Sequence, residues 1–183
     1  MKTVLRTFLF SSVLLLSTKT TKAQCTVSNI VVQNISLVAS TPTSCTAKFD
    51  VTFNIENNNG NKFIFIHVWL QDDYPNYFQC VNGQSTINGS IRAPEAADLG
   101  NSFNIGLNNE DTAITAMTTY PPDASVPLAS MDSLKRVLLP DGSANITLYG
   151  VLITTPFACR PLVVVADLWS SQASNAQRAH CVD

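Results

Sequence analysis

From Cys45 onward apolar and polar residues take strict turns. Cys45, Ala47, Phe49, Val51, Phe53 and Ile55 are apolar, and Thr46, Lys48, Asp50, Thr52, Asn54 and Glu56 lie between them. A period of two describes a strand with one face in a core and one in water. Residues 57–61 read Asn-Asn-Asn-Gly-Asn, types that tolerate positive φ, and predict a tight hairpin into the next strand. That strand, Phe63 to Leu70 (Phe-Ile-Phe-Ile-His-Val-Trp-Leu), is apolar on both faces, as a central strand covered on both sides should be.

The remaining pattern is one of short strands with turn punctuation. Val27 to Leu37 reads as a first strand, closed by the turn Thr41-Pro42-Thr43-Ser44. Asp72 to Asn82 reads as a loop broken by Pro75, and Ser85 to Arg92, Ser102 to Leu107 and Ala113 to Thr119 as short strands. Pro94 to Gly100 separates the first two of these. Tyr120 to Ser133, with Pro121, Pro122 and Pro127, is a long connection with one helical turn expected at Ser130 to Leu134. Leu134 to Leu139 and Asn145 to Thr154 flank Pro140-Asp141-Gly142, a tripeptide suited to a turn. Leu162 to Trp169 and Gln177 to Cys181 close the fold, the last two strands forming a hairpin about Ser171 to Asn175. Some nine strands with almost no helix predict an all-β sandwich or barrel, and the alternation of Cys45 to Leu70 favours the sandwich. Phe49, Phe53, Phe65 and Trp69 should then face an opposing sheet. Asp72 to Asn82, Pro94 to Gly100 and Tyr120 to Ser133 should lie exposed at its ends, where loops on a rigid scaffold carry binding.

The first residues change the picture of the address. Lys2 and Arg6 precede a short apolar run, Phe8 to Leu16, and a polar segment then leads to Ala23. This is the pattern of a secretory signal peptide, too short to span a bilayer. Cleavage after Ala23 leaves residues 24–183 as one domain that begins at Gln24. A lipoprotein signal acting on Cys25 is the rival reading, and Gln24 fits poorly the small residue expected there. Of the 11 basic residues four leave with the signal, so seven face 13 acidic ones, a net charge of about −6. With no basic patch, nucleic acid and an anionic membrane surface are not expected as partners. Insertion into a membrane after signal removal is not expected either, because no other segment is apolar for long enough.

Five cysteines (Cys25, Cys45, Cys80, Cys159 and Cys181) lie in the exported part, where disulfides are permitted. Their odd number leaves at least one without an intramolecular partner. No pair has zinc-ligand spacing, so no metal site is expected. The strand order favours Cys159 with Cys181, and Cys45 with Cys80 over Cys25 with Cys45.

The run from Phe49 to Gly60 (Phe-Asp-Val-Thr-Phe-Asn-Ile-Glu-Asn-Asn-Asn-Gly) resembles the alternating strand and Asn-Asn-Gly turn of bacterial modules of the CARDB, or cell-adhesion-related, kind. Leu139 to Thr147 (Leu-Pro-Asp-Gly-Ser-Ala-Asn-Ile-Thr) is similar to their leucine-proline-glycine turn and following strand. The likeness covers about half of the chain after Ala23 and departs in length, in the cysteines and in the bulky Cys80 to Gly100 region. It implies an immunoglobulin-like antiparallel β-sandwich of roughly seven to nine strands, serving as a non-catalytic secreted or surface module of a Gram-negative bacterium. No site residue carries over.

Residues with candidate chemistry are few. His67 alternates with Phe65 and Trp69 and reads as a core histidine; Trp69 reads as core filler. His180 reads as solvated, and a metal site joining the two histidines would need both at one end of the fold. Asp72 and Asp73 could contribute oxygens to a Ca²⁺ site, though no EF-hand spacing accompanies them. No GxSxG, SxxK, HExxH or Gly-rich phosphate loop occurs. An enzyme is not expected, a small secreted hydrolase being the least favoured reading, and no cofactor is implied. Two classes remain: a structural or adhesive module that contacts protein, and a carbohydrate-binding module whose rings stack on sugars. Either partner, protein or glycan, would be met at the cell surface. The candidate ligand-binding residues are Asp72, Asp73, Tyr74, Tyr77 and Phe78, in a polar, proline-broken loop. Asn34-Ile35-Ser36, Asn88-Gly89-Ser90 and Asn145-Ile146-Thr147 match the N-glycosylation pattern, which matters only in a host that glycosylates. Asp111-Thr112-Ala113 and Asp132-Ser133-Leu134 are similar to a short bacterial O-glycosylation motif.

Overall fold

A computed structural model of the chain describes residues 27–56, 62–70, 78–81, 84–87, 90–91, 96–99, 102–110, 112–120, 123–161, 164–171 and 179–182. Strands β1 (Val27–Thr41), β2 (Ser44–Ile55), β3 (Phe63–Leu70), β4 (Phe78–Val81), β5 (Gln84–Ile87) and β6 (Ser90–Ile91) precede a single helical turn, α1 (Ala96–Leu99). Strands β7 (Phe103–Asn109), β8 (Ile114–Ala116), β9 (Ser133–Leu138), β10 (Ala144–Thr155), β11 (Val164–Ser171) and β12 (Ala179–Val182) follow. One sheet runs β1-β2-β10-β9, the second β12-β11-β3-β7-β8, and β4-β5-β6 form a small third sheet. Neighbours within each sheet are antiparallel. Lettered in chain order with the β4–α1 insertion set aside, the two larger sheets read ABED and GFCC′C″, the strand orders of the immunoglobulin variable sandwich. The chain is an all-β, immunoglobulin-like antiparallel sandwich.

The alternation in β2 sets the inner face. Phe53 and Ile55, with Ile146, Leu148 and Val151 of β10, pack against Ile64 and Ile66 of β3 and Ile105 and Leu107 of β7. The outer face of the same pair is polar: Asn145 donates to Asn54 (2.8 Å), Thr52 to Thr147 (3.3 Å), and Thr46 and Thr154 share a hydrogen bond at 3.0 Å. The β9–β10 hairpin is closed by the foreseen turn. Gly142 takes φ of 84°, Leu139 N–H donates to the Ser143 carbonyl, and Asp141 accepts from Ser143 N–H and Oγ. These bonds hold the Asp141 carboxyl below the usual carboxylate range.

Strand β3 is covered on both faces, as its composition demanded, but the second cover is not a sheet. Phe65 and Trp69 point away from the first sheet into a second cluster with Leu99 of α1 and with Tyr120 and Val126 of the connection between β8 and β9. Tyr120 meets Phe65 edge-on at 5.2 Å, and the Trp69 indole N–H donates to the Leu99 carbonyl at 3.1 Å. Gly106, opposite Phe65 in β7, leaves room for this cover: a Cβ there would stand 3.2 Å from that of Met117 and 3.3 Å from Leu128. The expectation that Phe65 and Trp69 face the opposing sheet, with Tyr120 to Ser133 and Pro94 to Gly100 exposed, is therefore corrected. A strand apolar on both faces needs two covers, and these connections supply the second.

Other expectations shift for equally local reasons. Strands β2 and β3 do not pair as the expected hairpin, because they belong to different sheets, and segment 57–61 lies outside the described residues. Ser85 to Arg92 is not one strand but the β5–β6 hairpin, and Phe78–Val81 of the expected loop is strand. No helical turn forms at Ser130 to Leu134. Ser130 instead makes an antiparallel bridge to Leu152, while Leu128 makes a parallel one to Asn104, so Pro127 to Ser130 strap the two sheets together.

Cys45 is bonded to Cys159, with Cα atoms 4.8 Å apart. This corrects both expected pairings, Cys159–Cys181 and Cys45–Cys80. Thr155, at the end of β10, pairs with Cys45, so the chain just beyond it stands over that residue. Cys181 lies opposite Trp169 in the second sheet, and Cys80 lies in the small third sheet. Cys25–Cys45 is excluded as well, because Cys45 is already bonded to Cys159.

Candidate interaction surface

The five residues proposed from sequence as a ligand site, Asp72, Asp73, Tyr74, Tyr77 and Phe78, fall where the side chains lie outside the described residues. Of these, Phe78 begins β4. His67 is fully enclosed, its ring 5.5 Å from that of Trp69 and 5.9 Å from Tyr120. It belongs to the core. Among the described residues, no group of three His, Cys, Asp or Glu residues stands close enough to hold a metal ion, and no helix is long and apolar enough to cross a membrane.

One cleft of about 380 Å³ opens beside the strap, lined among others by Ser102, Asn104, Leu128, Leu152, Thr154 and Pro156. None of its lining residues is charged. Its buried amide is committed internally: Asn104 accepts from Ser102 Oγ at 2.8 Å and donates to the Ser102 carbonyl at 3.3 Å. The cleft offers shape without reactive groups.

The feature that departs most from a self-contained domain is β1. It is an edge strand of 15 residues with no second partner among the described residues. Ile35 is 71% exposed, Leu37 62% and Ile30 57%, with Val31, Val32 and Val38 near half. Three register shifts against β2, at Ser28/Val31, Gln33/Ser36 and Leu37/Ala39, mark bulges, and Asn29 and Asn34 take φ of 54° and 55° at the first two. Asn reaches this left-handed region more readily than most side chains.

The bulges determine what each face carries. Opposed residues in an antiparallel pair point to the same side. Val32 lies opposite Val51 and Leu37 opposite Ala47, both on the inner face of β2, whereas Val31, Gln33 and Ser36 lie opposite the polar Thr52, Asp50 and Lys48. Ile30 and Ile35 directly precede Val31 and Ser36, and so share the inner face. Ile30, Val32, Ile35 and Leu37, spaced two, three and two apart, thus make one apolar stripe that extends the inner face of the first sheet. Among the described residues, no β1 side chain joins the core cluster.

The outer side of β1 is pinned by one carboxylate. Asp50 accepts from the Asn34 side chain at 2.7 Å and from the Gly150 N–H at 2.8 Å, so a residue of β2 ties a bulge of β1 to a bulge of β10. The Asn34 hydrogen bond, then that of Gly150, and the nearby Lys48 charge hold the Asp50 carboxyl below its usual value. Gly150 has φ of 62°, and a Cβ there would run into the Asp132 carboxylate and Lys48. Lys48 itself pairs with Asp132 at 2.6 Å. This cluster is structural, since each polar group is spent on a neighbour.

Sequence reading named Val27 to Leu37 as a strand without remarking on its exposed stripe. The available signal was the repeated Asn-Ile at 29–30 and 34–35: two residues tolerant of positive φ, five apart, each followed by isoleucine. No protein family, curated protein or solved structure matches the chain.

Proposed function

We propose that this chain is a non-catalytic secreted or cell-surface module of the CARDB-like, adhesive kind, which binds protein through the free edge of β1. The observation that carries the reading is that edge: 15 residues without charge or proline, with apolar side chains exposed on both faces. Soluble domains guard such strands with lysine, proline, bulges or a covering element; β1 has bulges but no charge, proline or cover, and an edge so lightly guarded is a template for an added strand. The other long-sheet edge in the first sheet, β9, is short and carries Lys135 and Arg136. The signal-like segment before Ala23 supports export, and the disulfide suits an oxidising compartment.

Binding of the purified, labelled protein to the cells that produce it tests this. Ile35→Lys with Leu37→Lys should reduce capture several-fold, and so should stripping surface protein from the cells with protease. Undiminished capture by the double variant would reject the β1 edge. Loss of capture after glycan removal alone would move the reading to carbohydrate and to the segment containing Tyr74 and Tyr77.

A further inference from the structure

Resting on that reading of β1 as a protein-binding edge, we infer that its partner is a second copy of this chain, joined β1 to β1 about a two-fold axis into one continuous eight-stranded sheet. Antiparallel self-pairing requires residues brought opposite one another to belong to the same face. Centring the axis between Gln33 and Asn34 meets that condition along the strand. Ile30 then opposes the copy's Leu37, and Val32 its Ile35, all on the apolar stripe. Val31 opposes Ser36 and Ser28 opposes Ala39, all on the outer face with Thr52, Lys48, Asn54 and Thr46 of β2. The irregularities coincide too, since Asn29 opposes Val38 and both sit at register shifts. The strand is therefore close to a palindrome in what each face presents, as an isologous contact demands and a chance partner does not.

Charge and area agree. No charged side chain occurs between Val27 and Thr41, so two copies meet without the like-charge repulsion that protects most edges. An edge about 50 Å long and about 10 Å deep offers on the order of 500 Å² per partner, below the roughly 800 Å² of a standard interface. An interface of this size belongs to the weak, transient class, suited to copies concentrated at a surface and reversible in dilute solution.

Sedimentation of the purified protein with its free thiols alkylated tests the inference. A dimer is expected at about 100 μM, with Ile35→Lys/Leu37→Lys weakening association at least tenfold. Val137→Lys, on the opposite edge of the sheet, should leave it unchanged. Register is read independently of fold: unalkylated Ile30→Cys and Leu37→Cys variants should cross-link when mixed under mild oxidation, and neither alone beyond the parent. A monomer at that concentration, a dimer indifferent to the lysines, or equal cross-linking in the single variants would overturn the second copy as partner. If the protein is monomeric yet β1 variants still lose cell capture, the edge binds another protein and the functional reading stands. If neither property depends on β1, both fall.

Discussion

Strands β3 and β1 are built from the same kinds of residue and meet opposite fates. Both are rich in Ile and Val and both show apolar side chains to either side, yet in β3 Ile64, Phe65, Ile66 and Trp69 are buried, whereas β1 contributes nothing to the core. The difference lies in what the rest of the chain supplies. Strand β3 sits in the middle of its sheet and receives a second cover from α1 and the β8–β9 connection; β1 sits at the edge of its own. Apolar composition thus states a need for cover and leaves open who provides it. For β3 the chain provides it. For β1 a partner is the cover we propose.

The contrast can be broken most decisively at Trp69. Trp69→Ala should lower stability by about 3–5 kcal/mol in denaturant titrations, and a loss near zero would mean that the second cover of β3 is not a true core. Next comes the covalent link between Cys45 and Cys159. It closes a loop of 114 residues, and replacing both cysteines by alanine should cost about 2–5 kcal/mol by the same measurement. A third test separates the strands by pH. The folded Asp50 carboxyl titrates below its unfolded value, so its contribution is present above about pH 4 and is lost as pH falls through the folded value. Amide protection of β1 should therefore drop in acid before that of β3, and Asp50→Asn should abolish the difference. The smallest effect is expected at Ile35, where Lys should change stability of the dilute protein by no more than about 0.5 kcal/mol. A large loss there would show that β1 has a cover after all.

Alternation made the faces legible. Cys45 to Ile55, the Pro140-Asp141-Gly142 turn and the doubly apolar β3 follow directly from residue order, because side-chain direction in a strand is a local property. Pairing was not legible. The alternation of β2 says that Phe53 points inward, but not that its neighbours are β1 and β10 rather than β3, and the disulfide pairing inherited that uncertainty. The role of Tyr120 and Val126 was hidden by their surroundings, since prolines and polar residues made the segment read as exposed loop. Their burial is decided by Phe65 and Trp69, more than fifty residues earlier. The β1 stripe was obscured because bulges at Asn29 and Asn34 break the period of two on which the reading relied.

The position of the Cys45–Cys159 bond also governs how the molecule carries load. Strand β1 lies before the bond and β11 and β12 after it, whereas β2 to β10 lie almost wholly within it. A pull applied to the two ends of the chain meets at these cysteines and passes through the sulfur bridge. The 114 residues of the loop, about 400 Å of chain if drawn out straight, stay off the line of tension. The sandwich can yield β1, β11 and β12 under strain and still keep its longest stretch of polypeptide in reserve.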